Sequence, residues 1–409
     1  MVAGLFVLSL ITYIDRAAIS SAKEPLGVEL GLSDAQMGAV FSAFALGYAI
    51  AQVPSGWIAD TWGPRLMLTL VVAVWSIFTW ATGVIQSLWA LLAVRFLFGI
   101  AEAGAFPGCA RAFYNWLPRA EHGRANGIIF SGSRIGAAIA FPVMAWLLGT
   151  WGWRTAFYLL AIPGFLWALL WFALFRNHPR TPPPQDEAAT GPAMTFGEVF
   201  RSRRMLLAMA QYFATNFTTF LCLSWMHPYL KQRYQLSAAD AAFYAMIPLL
   251  VGAGAQWATG FLVDRLYRSR YRVWSRRAPA MLGFAISASG LILIPTAATA
   301  AAAAACFTLA AFGAEMTISP SWAFCIDIGG SKSGAVAGAM NMLGNFGSFV
   351  SANVFPLVEQ WTGSADAYFY LVCAMSICAA LCWTGMRSLR ERVEVAQQFS
   401  VSRESGSVQ

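Results

Sequence analysis

Apolar residues fill the chain in long blocks, broken at short intervals by Gly, Pro and charged residues. A helix needs about 20 apolar residues to cross the hydrocarbon core of a bilayer. Blocks of that length predict twelve helices, at about 3–22, 35–59, 66–86, 88–113, 126–149, 154–175, 205–230, 239–263, 278–297, 301–327, 334–358 and 366–387. Several are longer than one perpendicular crossing needs, as tilted helices are. Small residues recur inside them, such as Gly99, Gly104 and Gly108, or Gly338, Gly344 and Gly347. Such residues let membrane helices approach closely.

The longest polar break covers 176–204. It holds Thr181-Pro-Pro-Pro184, the acidic pair Asp186 and Glu187, and a basic cluster. It reads as a linker between six-helix bundles at 1–175 and 205–387, with a polar tail over 388–409. An internal repeat supports two related halves. Gln52-x3-Gly56-x3-Asp60 returns 204 residues later as Gln256-x3-Gly260-x3-Asp264. A second echo joins 127–136 (GIIFSGSRIG) to 338–347 (GAMNMLGNFG). The expected fold is therefore an all-α membrane protein: twelve transmembrane helices in two pseudo-symmetric six-helix bundles. Duplicated halves of this kind place a binding site between them.

Composition excludes a soluble globule. Hydrophobic residues make up 58% and charged residues 11%, against about a quarter charged in soluble domains. The net charge of +8 does not point to nucleic acid, because the basic residues follow a topology. Twenty of the 27 Lys and Arg, from Arg65 to Arg403, fall in loops on one side or in the tail. Lys23, Arg154, Lys231 and Arg233 fall on the other, and Arg16, Arg95 and Arg134 lie inside helices. The crowded side is expected to be cytoplasmic, with both termini there. The seven cysteines sit in apolar runs without metal-type spacing, so they read as packing residues. No metal or cofactor is expected. No nucleophile–base set or phosphate loop appears, so an enzyme is not expected.

The chemistry lies in six charges inside helices: Asp15, Arg16, Arg95, Glu102, Arg134 and Glu315. Each costs about 2.5–3.5 kcal/mol at the bilayer centre on insertion scales. They must therefore meet partners or a wet cavity. Arg95 and Glu102 lie almost two turns apart and share a helix face. The six charges, three basic and three acidic, sum to zero, so protonating Asp15 or Glu102 leaves a positive excess that an organic anion can balance. A dry cavity favours the neutral carboxyl and a nearby arginine the charged form. Asp15 and Glu102 are thus the candidate proton-coupling residues, and Arg16, Arg95 and Arg134 the candidate anion contacts. Arg134 aligns with Asn345 in the repeat, so the two are expected to face each other. Tyr48 and Asn341 are further candidate substrate contacts; Gln52, Gln256 and Trp322 are possible ones. Glu315 stays open between proton site, cation site and structural pair.

Gly56-Trp-Ile-Ala-Asp-Thr-Trp-Gly-Pro-Arg65 resembles the loop signature of the major facilitator superfamily, weakly echoed by Gly260-Phe-Leu-Val-Asp-Arg265. The resemblance implies a cytoplasmic gate in which Asp60 and Arg65 help hold one conformation. Within that superfamily the chain is similar to the anion:cation symporter branch. Tyr13-Ile-Asp-Arg16, the stretch from Arg95 to Pro107, Ser133-Arg134 and Asn341-Met-Leu-Gly-Asn345 carry this likeness. Ser224-Trp-Met-His-Pro-Tyr-Leu230 and Glu315 depart from the branch pattern. The resemblance implies proton-coupled uptake of an organic carboxylate, a sugar acid first, by a monomer in a bacterial inner membrane. The other readings are an exchanger or exporter of amphipathic compounds and a transporter-like receptor that does not translocate.

Overall fold

In the computed structural model, residues 1–179 and 196–386 are described. The expected linker residues Thr181–Pro184, Asp186 and Glu187 lie outside them, as does the tail from 388. Among the described residues every regular element is helical. Nine stretches of the described residues are long and apolar enough to cross a membrane.

The first part of the chain forms α1 (Val2–Ser21), the short α2 (Lys23–Leu30), α3 (Asp34–Trp62), α4 (Pro64–Thr82), α5 (Leu88–Glu102), α6 (Ala105–Trp116) and α7 (His122–Leu174). A capping box starts α3: the Gln36 N–H donates to Ser33 Oγ, and the Ser33 N–H to the Gln36 side chain. Between α3 and α4 stands Gly63 at φ 83°, a value that suits glycine alone. Pro64 then opens α4, where its missing N–H costs nothing.

The sequence predicts separate helices at 126–149 and 154–175. Within the 53 residues of α7 two helices meet at Gly152, where φ is 74° and the backbone leaves helical geometry. A straight helix of that length would run about 80 Å at 1.5 Å per residue, far beyond a bilayer core of about 30 Å. Gly152 divides it into two segments.

The rest forms α8 (Phe196–Arg201), α9 (Arg203–Phe220), α10 (Met226–Arg233), α11 (Ala238–Tyr267), α12 (Arg277–Leu293), α13 (Ala300–Met316), α14 (Ile318–Gly329), α15 (Ser333–Thr362) and α16 (Asp366–Gly385). The continuous helix expected at 205–230 is interrupted by one π turn, Leu221–Trp225. Pro228 follows just inside α10. A proline cannot donate into the preceding turn, and a wider turn absorbs the loss.

Two other expected helices, 88–113 and 301–327, are also broken. One breaks between α5 and α6, the other between α13 and α14. Each break follows a glutamate and precedes a proline. Glu102 ends α5 and Pro107 is the third residue of α6. Glu315 is the last but one residue of α13, and Pro320 is the third residue of α14. Glu-x4-Pro therefore occurs twice, at the same point of two helices.

Glycines bring the early and late helices together. A Cβ on Gly56 of α3 would lie 2.3 Å from the Gly334 carbonyl of α15, and one on Gly338 would lie 2.6 Å from the Gln52 carbonyl. The α7–α11 contact repeats this. A Cβ on Gly260 would lie 2.8 Å from the Gly123 carbonyl, and one on Gly127 would lie 2.4 Å from the Gln256 carbonyl. Real Cβ atoms do not approach so closely, so both seams require glycine.

Candidate functional site

Three polar clusters sit where these helices meet. In the first, Arg16 of α1 donates through Nε to Glu102 Oε1 at 2.5 Å. Its guanidinium lies 4.4 Å from the Tyr48 ring centroid and 5.1 Å from that of Tyr13. Glu102 is fully buried and Arg16 one-fifth exposed. The cation therefore stands between the buried carboxylate and the accessible space. Arg95 is buried against the Phe44 and Phe98 rings, 5.0 and 4.7 Å away. Asp15 is buried too; its oxygens make no hydrogen bond of ordinary geometry, and the Trp75 and Thr79 side chains are the polar groups that reach towards it. The second Glu102 oxygen, Arg95 Nε, Trp75 Nε1 and Ser76 Oγ are also buried without a hydrogen-bond partner. Buried polar groups are nearly always paired. The two carboxyls, buried close to one another and to Arg95, have spare hydrogen-bonding capacity.

The second cluster joins early and late helices. Arg134 of α7 donates through Nη2 to Glu315 Oε1 of α13 at 2.5 Å. Gln256 of α11 donates to Glu315 Oε2 at 2.8 Å. Gly252 leaves room for that carboxylate; a Cβ there would lie 3.2 Å from Glu315 Cγ. One turn before Arg134, Ser131 Oγ accepts from the Trp257 N–H.

In the third, the Asn341 amide of α15 donates to Tyr48 Oη at 3.3 Å and to Gln52 Oε1 at 3.1 Å. Asn345 donates to the Asn341 carbonyl one turn back. The Trp322 N–H donates to Tyr212 Oη at 2.8 Å. Its ring lies 5.1 Å from that of Phe130, which stacks on Phe106 at 5.1 Å. Phe106, Phe130 and Trp322 form an aromatic layer linking α6, α7 and α14.

Arg16 and Glu102 thus meet directly, and Tyr48 links them to Asn341. Arg134 meets Glu315, which Gln256 also bonds, while the Asn345 amide is engaged on its own helix. Asp60 and Arg65 bond separately. Asp60 accepts from the N–H groups of Gly334 and Ala335, both at 2.9 Å. Arg65 donates to the Phe172 carbonyl and stacks over the Phe172 ring at 4.5 Å. The repeat acid Asp264 accepts from Gly123 and Arg124, again at 2.9 Å. Beside it, His122 faces Asp327 at 3.4 Å, and Arg276 donates to Asp327 at 3.1 Å. Sequence reasoning missed Asp327, Arg276 and the Phe106–Phe130 layer. Each lies next to a loop or inside an apolar run, where its type alone says nothing of its partner. The Glu-x4-Pro echo was the available signal for Glu315.

Residues 5–352 match the Major Facilitator Superfamily. The chain belongs to that family. The family consists of membrane transporters rather than enzymes, so the chain is a multi-pass membrane protein of this fold. It is 33% identical to the probable sulfoacetate transporter SauU of Cupriavidus necator, over 91% of this chain and 90% of that one. It is 30% identical to the probable L-galactonate transporter of Escherichia coli, over 93% of this chain and 86% of that one. The fold is similar to that of the human organic anion transporter MFSD10 (TM-score 0.72, 15% identity), covering 93% of this chain and 98% of that chain.

Proposed function

We propose that this transporter takes up a small organic carboxylate, a sugar acid first, together with protons by alternating access. The observation that carries the reading is the Arg16–Glu102 pair, one-fifth exposed at the arginine and closed at the glutamate, with the Asp15 carboxyl buried nearby. In this reading Asp15 and Glu102 take protons, and Arg16, Arg95 and Arg134 attract the anion. Tyr48, Asn341 and Asn345 contact its hydroxyls. Protonated Glu102 releases Arg16, whose planar fork suits a carboxylate.

In this reading the nine apolar stretches supply eleven crossings, with Gly152 a reversal and α13–α14 and α15 counted separately, and α9–α10 adds the twelfth. We assign them to bundles at 1–175 and 205–387. The face rich in arginine is the cytoplasmic one, and the transporter works as a monomer. The described early-to-late hydrogen bonds run from the centre to that face, through Asn341, Glu315, Asp60, Asp264 and Arg276. That pattern supports a state closed towards the cytoplasm, with Asp60 and Asp264 as gate residues and Arg65 bracing the loop.

The test is uptake into liposomes of galactonate, glucuronate, glucarate and sulfoacetate, with and without an inward proton gradient. Gradient-driven accumulation of at least one acid is expected, with loss of the gradient effect in Asp15→Asn or Glu102→Gln. No uptake of any acid under any gradient would overturn the carboxylate assignment. Uptake stimulated by internal anion but not by protons would replace symport with exchange.

A further inference from the structure

We propose that Glu315 is a second proton site: a tethered carboxylate that occupies Arg134 until a proton releases it. This rests on the reading that a carboxylate substrate docks on Arg134. The geometry is specific. Glu315 Oε1 takes Arg134 Nη2 at 2.5 Å, and Gln256 fixes Oε2 at 2.8 Å. The carboxylate therefore already sits on the arginine as a substrate carboxylate would.

Glu315 is buried, 4% exposed. The groups facing it come from three elements: Arg134 of α7, Gln256 of α11 and the Cys222 thiol of the π turn. Arg134 is the one cation among them, and it also faces Tyr13 and Tyr212. An arriving substrate carboxylate would set two anions against one arginine in a dry site. Two such carboxylates cannot both stay ionised. Either the substrate is refused or Glu315 takes a proton. A neutral Glu315 keeps its Oε2 bond from Gln256 and frees the guanidinium.

The second, independent observation is the duplication. Glu315 and Glu102 occupy the same place in Glu-x4-Pro at the break of two helices, and each bonds an arginine at 2.5 Å. The chain thus carries the same cation–carboxylate device twice, once within the early helices and once across the seam. Discontinuous helices of this kind line transporter sites.

The test uses the full chain in detergent, with galactonate and sulfoacetate as probes. Calorimetry in buffers of different ionisation enthalpy counts the protons taken up on binding. Glu315→Gln retains a side chain that can bond Gln256 and Arg134, and thermal unfolding checks that it folds. The expected result is one proton fewer per anion bound. Affinity at alkaline pH should rise on the order of tenfold, because the competing charge is gone. In liposomes, two protons per galactonate, a monoanion, carry one net charge inward, so a valinomycin-set potential drives wild-type galactonate uptake. Uptake by Glu315→Gln should lose that dependence. Wild-type binding with the same proton count and affinity in Glu315→Gln would make Glu315 a structural pair and sink this proposal alone. Failure of the wild type to bind either probe would sink the carboxylate reading and this proposal with it.

Discussion

Asp60 caps α15 through the backbone of Gly334, its Oδ1 accepting that N–H at 2.9 Å while Oδ2 takes the next one. The first N–H groups of a helix have no partner inside it, and the positive end of the helix favours a carboxylate. Asp264 treats the start of α7 in the same way. Both acids of the repeated Gln-x3-Gly-x3-Asp motif thus hold the first turn of a helix from the other part of the chain. The motif's glycine and glutamine backbone form the close contact beside each cap. The repeat is therefore a pair of matching latches, and neither latch depends on an ion pair with Arg65.

Loss of a cap typically costs about 1 kcal/mol. Asp60→Asn and Asp264→Asn keep one acceptor oxygen and should each lose part of this. The double variant should lose more than either. Hydrogen exchange at Gly334 and Ala335 should speed up in Asp60→Asn, while Gly123 and Arg124 respond to Asp264→Asn. Unchanged protection at those amides would mean that the caps do not hold the seam.

The glycines test the same seam sterically. Gly56→Ala places a methyl 2.3 Å from the Gly334 carbonyl, whereas nothing lies within 4 Å of a Cβ on Gly38. Gly56→Ala should cut uptake on the order of tenfold, as overpacking costs about 1–3 kcal/mol. Gly38→Ala should transport normally. Equal activity of the two variants, at equal surface expression, would show that the seam can widen without penalty.

Much of this was legible in the sequence because the bilayer constrains so strongly. Length of apolar run, spacing of breaks and the repeated motif are one-dimensional signals, and they outlined helices such as α1, α4, α12 and α16. Partner choice was not legible. Arg16 is adjacent in sequence to Asp15 and distant from Glu102, yet it bonds Glu102. Asp60 and Arg65 share one loop signature, yet they bond α15 and Phe172 separately. The interruption at Leu221–Trp225 was hidden as well, because hydropathy does not register a change from one helical turn to a wider one.

The Arg16–Glu102 pair separates charge from shape. Arg16→Ala strands a buried carboxylate and should destabilise by about 3 kcal/mol. Adding Glu102→Gln should recover part of that loss, a coupling that a double-mutant cycle measures. Glu102→Gln alone keeps an acceptor for Arg16. It should retain exchange of labelled for unlabelled substrate while losing accumulation against a gradient. Strictly additive stabilities would leave the pair without energetic coupling.

Glu29 provides a control on the opposite face from Asp60. The Trp153 N–H reaches its Oε2 at 2.5 Å, and Arg154 bonds its Oε1. The Trp153 N–H first, and Arg154 with it, holds this exposed carboxyl below its ordinary range. A group depressed in the folded state stabilises fully above its unfolded value, about 4.3 for Glu. That contribution fades as pH falls through the lower folded value. Glu29→Gln should therefore lower the unfolding midpoint at pH 7 and match the wild type in strong acid. The difference isolates Glu29, because every other group is common to both proteins. A gap between the two melting curves that stays constant down to strong acid would show that Glu29 acts through shape alone.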